Sequence, residues 1–299
     1  MKPPPFEYHA PRDLGEALDV LAEAGARGKV LAGGQSLIPM LNMRLAAPAH
    51  LIDINRLAAL GVLDATPEAL TVGALARHSQ VERAGAHPLV TKALRLVAHP
   101  VIRNRGTVVG SLVHADPAAE LPAVLAVLDG SVRLASRGGP SGAGEVAAPP
   151  PGARVRDVPA REFFTGPMES ALRPGELAVS ARFPALGART GAAFREVARR
   201  HGDYALAGVC AVVRLDEDLR IEAARVACVG VGPVPVVVDV SQVCERRPAA
   251  GVDWAAVADA VRARTEPEAD VHASAAYRLH LVGVLAEQAL DEAAREAAA

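Results

Sequence analysis

The sequence predicts an α+β protein, on three observations. Residues 1–57 combine short apolar strands with an amphipathic helix, residues 58–175 mix further strands and helices, and residues 176–299 run through successive strands into two helices. Strands followed by helices indicate an α+β unit. With 299 residues, 51% of them hydrophobic, the chain can bury a substantial core divided among two or three domains.

Asp13 is placed to cap the first helix, with Glu16 closing a capping box. Leu14, Leu18 and Leu21 supply its apolar stripe, and Gly25 ends it. A strand over residues 29–32 runs into a glycine loop, a helix covers 37–45 and a strand covers 50–54. In the second unit, strands are expected at 70–73 and 131–135 and helices at 88–97 and 117–128, with a loop at 105–111 between them. Residues 136–154 are rich in Gly, Pro and Ala with almost no large apolar side chains, which predicts a mobile surface loop. The third unit reads as strands at 177–183, 192–198, 204–215 and 219–229, then helices at 254–264 and 272–298. No internal repeat is present.

Composition excludes several functions. The net charge is −2 and the arginines are scattered among acids without a basic stripe, so nucleic acid is not an expected partner. No apolar run approaches the ~18 residues of a bilayer span, and Met1-Lys2-Pro3-Pro4-Pro5 lacks a signal core, which predicts no transmembrane segment and a cytoplasmic protein. Cys210, Cys228 and Cys244 lie far apart in apolar segments and read as buried thiols, so this chain is not expected to house an iron-sulfur cluster or a zinc site. His78, His87, His99 and His201 are dispersed and read as surface or loop residues, and no metal is expected.

The chemistry concentrates in two loops. Val30-Leu31-Ala32-Gly33-Gly34-Gln35-Ser36-Leu37 runs a strand into two glycines and two polar residues. A third glycine is missing and no Gly-Lys-Ser/Thr follows, so this is neither a Rossmann fingerprint nor a P-loop. Glycines nevertheless let backbone N–H groups approach an anion, Gln35 and Ser36 add side-chain donors, and Ser36 is placed to cap the helix that follows. Alone, a Gly-Gly turn after a strand is an ordinary tight turn. A second loop, Arg105-Gly106-Thr107-Val108-Val109-Gly110-Ser111, repeats the pattern, and two such loops suit a ligand with more than one phosphate, such as a dinucleotide.

Several motifs in order then make the sequence specific: Phe6-Glu7-Tyr8-His9, Ala32-Gly33-Gly34-Gln35-Ser36-Leu37, Asp53-Ile54-Asn55, residues 102–120, Gly202-Asp203-Tyr204-Ala205 and Ser274-Ala275-Ala276-Tyr277-Arg278. Over nearly its full length the chain resembles the FAD-binding medium subunit of the molybdenum hydroxylases, the group that includes carbon monoxide dehydrogenase and xanthine dehydrogenase. The resemblance implies a p-cresol methylhydroxylase-type fold, with two FAD-binding α+β lobes (1–57 and 58–175) and a C-terminal domain of antiparallel sheet and helices (176–299). It implies that Val30, Leu31, Ala32, Gly33, Gly34, Gln35, Ser36 and Leu37 form the first FAD segment. Ile102, Thr107, Val109, Gly110 and Ser111 belong to the second, both segments meeting the ADP and pyrophosphate portion. Glu120 falls at an acidic position that hydrogen-bonds the cofactor, Leu177 and Ala178 match an adenine-end contact, and Asp203 and Tyr204 lie where relatives approach the isoalloxazine. Asp116 joins the cofactor side, although an Asp before Pro also reads as a helix N-cap.

Two positions depart from the pattern. Val109 stands where the family usually has glycine and predicts a looser FAD site. Glu196 stands near a position where the family often has lysine after the aromatic, leaving Arg195 as the replacement cation.

The reading that follows is a non-covalent FAD subunit that passes electrons onward. A large partner subunit would carry the molybdenum cofactor, a small one the iron-sulfur clusters, and the external acceptor would be NAD, a quinone or oxygen. No general base or nucleophile stands at convincing spacing, so no catalytic side chain is expected. The alternatives are an FAD-free scaffold of the same fold and a free-standing flavin oxidase.

Overall fold

The computed structural model describes residues 2–138, 150 and 152–299. The first lobe comprises β1 (Glu7–His9), α1 (Leu14–Ala24), β2 (Gly28–Leu31), α2 (Leu37–Asn42) and β3 (His50–Asp53). Its strands form a parallel sheet in the order β1-β3-β2. Asp13 caps α1 by accepting the Glu16 amide at 2.9 Å, and Gly25 ends the helix at φ 54°. The Glu16 carboxylate accepts from the Arg12 amide, one residue before the position a capping box uses.

The second lobe begins with β4 (Leu63–Ala65) and β5 (Ala69–Gly73). The helices α3 (His78–Ala84), α4 (Pro88–Leu94), α5 (Pro100–Arg103), α6 (Val108–His114) and α7 (Glu120–Val127) follow. It closes with β6 (Ser131–Arg137), β7 (Ala153–Pro159), α8 (Ala160–Phe163), the hairpin strands β8 (Phe164–Gly166) and β9 (Glu169–Ser170), and β10 (Leu177–Pro184). Every residue of α7 is buried, as a helix that is apolar on all sides after Glu120 requires at the centre of a protein.

Three expectations change here. The strand expected to open the C-terminal domain is β10, which hydrogen-bonds between β5 and β6 in an antiparallel sheet of order β4-β5-β10-β6-β7. The second lobe therefore extends past residue 176, because a strand this apolar is buried by neighbours on both edges. The ends of the 136–154 segment are strand, with Ser136 paired to Arg154 and Arg137 to Ala153, while residues 139–149 and 151 lie outside the described residues. Helix α7 starts at Glu120, not at Pro117, because Asp116 first turns the chain.

The C-terminal domain comprises β11 (Thr190–Ala198), β12 (Ala205–Leu215), β13 (Ile221–Val229), β14 (Val236–Asp239), α9 (Ser241–Cys244), α10 (Trp254–Arg262) and α11 (Ala275–Ala298). The four strands pair antiparallel in chain order. Phe194, Cys210 and Ala227 belong to the core shared with the two lobes, whereas Ala193, Val209, Ala211 and Cys228 belong to the core beneath α10 and α11. A sheet covered on both faces explains the unbroken apolar run of β12. All three cysteines are buried, as expected. Arg278 is structural: from α11 it donates to the carbonyls of Leu206 and Gly230 and to Asp270.

Candidate cofactor site

The two glycine loops touch. Gly33 is buried, and a Cβ added to it would lie 2.5 Å from the Arg105 carbonyl oxygen and 2.8 Å from the Gly106 Cα. Gly34 takes φ 75°, a left-handed conformation that glycine reaches without steric cost. The Gln35 side chain folds back to donate to the Gly33 carbonyl at 3.2 Å. Among the described residues, the amides of Gly33, Gly34, Gln35 and Ser36 have no protein acceptor. Donors left in this state at a tight turn suit an anionic ligand.

A hydrogen-bonded chain locks the loops together. Tyr8 on β1 donates its hydroxyl to Asp53 at 2.6 Å, and Asp53 accepts from the Asn55 amide at 2.9 Å and its Nδ2 at 2.6 Å. Asn55 Nδ2 also donates to the Ala32 carbonyl at 2.8 Å, and Asn55 Oδ1 accepts from Arg77 at 2.6 Å. Arg77 in turn donates to the Arg105 carbonyl. Asn55 falls in a motif the sequence singles out, but its role does not. Arg77 carries no local signal, since its partner Arg105 is 28 residues away.

The second loop runs into α6, where Thr107 accepts the Gly110 amide at 3.1 Å as N-cap. Val109 lies in the first turn of that helix, is 2% exposed and packs into the main core. Its φ is not positive and its side chain packs into the core, so valine is accommodated here without backbone strain. Ile102 shapes the approach, its carbonyl accepting the amides of Arg105 and Gly106 at 3.1 and 2.8 Å.

Ser111 lies 3.0 Å from Nε2 of His78. His78 is not a surface residue. It is 3% exposed, its Nδ1 has no partner, and burial pushes its pKa down to about 4, so the ring is neutral at pH 7. His87 is likewise buried, accepting from the Val90 amide as the α4 cap and meeting the Pro184 carbonyl at 2.9 Å.

A third wall comes from α7 and the C-terminal sheet. Asp116 accepts the Ala118 amide at 2.9 Å, forming an Asx turn, and the N-cap position of α7 is Ala119, without a side-chain cap, so the N-cap expectation for Asp116 fails. Ser36 does not cap α2 either. Tyr204, just before β12, stands near Asp116, Glu120 and Ser36. The residue is 56% exposed, yet protein crowds the hydroxyl end. That crowding and the charges of Asp116 and Glu120 push the phenol up to about 12. Asp203 lies in the exposed turn just ahead, its amide donating to the Arg200 carbonyl.

Glu120 is 7% exposed at the start of α7. Burial, then the neighbouring Glu196 and Asp116, push its carboxyl up to about 8, and burial pushes Glu196 up to about 7. Glu196 Oε2 is buried with no partner. Arg195 does not replace the missing lysine: side chains alternate along a strand, and Arg195 turns to the other face, where its Nε meets Glu292 of α11 at 2.7 Å. Leu177 and Ala178 are buried on β10, 2% and 5% exposed, in the same core as Val109.

The two loops, Asp116, Glu120 and Tyr204 thus converge, while the Arg195 side chain is engaged by Glu292 of α11. Unpartnered amides beside Gly34, a cradle a Cβ would fill, and orphaned polar atoms on His78 and Glu196 fit a dinucleotide bearing a pyrophosphate and polar rings.

This architecture defines a flavoprotein subunit. Residues 4–186 match the FAD binding domain in molybdopterin dehydrogenase, and residues 192–293 match the CO dehydrogenase flavoprotein C-terminal domain. The chain belongs to this family, the FAD-binding medium subunits of molybdenum hydroxylase-type oxidoreductases. It is 37% identical over 302 residues to 6-hydroxypseudooxynicotine dehydrogenase complex subunit alpha of Paenarthrobacter nicotinovorans, covering 99% of this chain and 97% of the relative. It is 34% identical to the carbon monoxide dehydrogenase medium chain of Hydrogenophaga pseudoflava, covering 98% of each. The solved quinoline 2-oxidoreductase of Pseudomonas putida 86 superposes with a TM-score of 0.88 at 32% identity, covering 99% of both chains. The expected fold is the one found. No helix among the described residues is long and apolar enough to cross a membrane.

Proposed function

We propose that this chain takes electrons from iron-sulfur clusters on a small partner subunit and passes them through FAD to an external acceptor. The substrate would be oxidised at a molybdenum cofactor on a large subunit. The observation that carries the reading is the backbone contact between Gly33 and Arg105, which places two donor-bearing loops side by side. FAD, when bound, accepts and releases the electrons. The protein's part is to bind and orient. The free amides at residues 33–36 would hold the pyrophosphate, the Arg77 bridge keeps the loops in register, and Glu120 and Tyr204 offer polar contacts at the far end. Asp203 beside Tyr204 would lie toward the isoalloxazine.

The FAD-free scaffold reading rests on Val109 and Glu196; the unstrained core packing of Val109 supports the FAD-binding reading over it. The direct test is the visible absorption spectrum of the purified chain, with the released nucleotide identified by chromatography. FAD at one per chain supports the reading. A colourless protein that takes up no added FAD overturns it. Co-expression with candidate small and large subunits, followed by flavin reduction on adding substrate to the complex, tests the routing. Adding NAD, a quinone or oxygen in turn identifies the acceptor.

A further inference from the structure

On the outer face of the first lobe, Glu7 and His9 lie two residues apart on β1, so both side chains leave the same face. In the parallel pairing with β3, His50 stands opposite Glu7. One donor atom from each of the three lies within 4.8 Å of the others. His9 Nε2 is 3.1 Å from His50 Nδ1, Glu7 Oε1 is 3.7 Å from His9 Nε2, and Glu7 Oε2 is 3.5 Å from His50 Nδ1.

Zinc bonds to imidazole nitrogen and carboxylate oxygen are about 2.1 Å long, which makes the ligand-to-ligand edge of a tetrahedron about 3.4 Å. The three spacings, with Glu7 facing each histidine through a different carboxylate oxygen, run from 3.1 to 3.7 Å around that edge. The donor count points the same way. A carboxylate only accepts, and each neutral imidazole can turn a lone pair toward the cluster, so with both rings in that tautomer three lone-pair-bearing groups face each other. A cation resolves that arrangement.

We propose that Glu7, His9 and His50 form a zinc site with a fourth position open to water, a set of two imidazoles and one carboxylate distinct from the cofactor cradle. Both histidines are largely shielded, at 22% and 21% side-chain exposure, while Glu7 at 66% leaves the open side to solvent. The ion staples the short strand β1 to β3. Tyr8, between the two β1 ligands, points to the opposite face and holds Asp53. The staple therefore sits directly behind the hydrogen-bond chain that joins the glycine loops.

The test uses the full-length chain without any affinity tag, stripped with EDTA and dialysed, then titrated with zinc chloride by calorimetry. The expected result is one zinc per chain, with Glu7→Gln and His50→Gln each weakening binding by about tenfold or more, since even loss of an outer partner of a ligand costs 10–100-fold. Cobalt(II) should give the visible absorption of a four-coordinate ion in the wild type and lose it in both variants. Glu7→Gln changes a largely exposed side chain and keeps the fold, so a folding defect in the histidine variant leaves the test intact. No zinc uptake by the wild type, or unaltered uptake by folded Glu7→Gln protein, overturns the proposal and leaves a hydrogen-bonded His-His pair.

Discussion

Gly33 and Arg105 are in backbone contact: a Cβ on Gly33 would fall 2.5 Å from the Arg105 carbonyl oxygen. The obstacle to a side chain at this position is therefore the second loop, not only the ligand path. Gly33→Ala should force the loops apart at a cost of roughly 1–3 kcal/mol, and Gly33→Val should cost more. Flavin content per folded chain should fall in both, and thermal unfolding separates loss of binding from loss of fold. Normal flavin content in Gly33→Val would contradict the arrangement.

Arg77 bridges Asn55 and the Arg105 carbonyl, tying lobe to lobe. A hydrogen bond to a charged group is worth about 1.5–3 kcal/mol, so Arg77→Met should weaken FAD binding by about tenfold to a hundredfold while leaving the two cores in place. Fluorescence titration of the stripped protein with FAD reads the effect directly.

The Glu120–Glu196 pair makes stability fall with rising pH. Both carboxyls are raised above their ordinary value, to about 8 and about 7, so the folded state holds protons that the unfolded chain has released. Their contribution is fully present below about pH 4.5 and is lost as pH rises through 7 and 8, at a slope of up to about 1.4 kcal/mol per pH unit for each carboxyl. Glu196→Gln should flatten urea midpoints measured between pH 5 and 9 and raise stability at pH 8. An unchanged pH profile would show that the two carboxyls do not share this environment.

His78 acts in the opposite direction. Burial holds its pKa down near 4, so stability is present above the ordinary histidine value of 6.5 and is lost as pH falls from there toward 4. His78→Gln should remove that part of the acid limb, seen as a shallower loss of stability between pH 6.5 and 4, while giving up the contact with Ser111.

Much of this protein was legible in its sequence because the signals were local. The Asp13 cap and Gly25 stop bound α1, and apolar runs mark the strands of the C-terminal sheet. The glycine loops announce an anion cradle because only particular residues let a backbone turn and approach that closely. Tertiary structure decided what depends on neighbours remote in sequence. β10 joins the second lobe because β5 and β6 supply its edges. Val109 turns into the core because α6 begins at Val108. Arg195 and Glu196 part company because strand alternation sends one to α11 and the other toward α7. Burial makes His78 neutral and raises Glu120, and the register of β1 on β3 brings Glu7, His9 and His50 together across 41 residues. Backbone geometry and capping are written in short stretches of chain, whereas burial, charge coupling and ligand clusters arise only when distant stretches share one space.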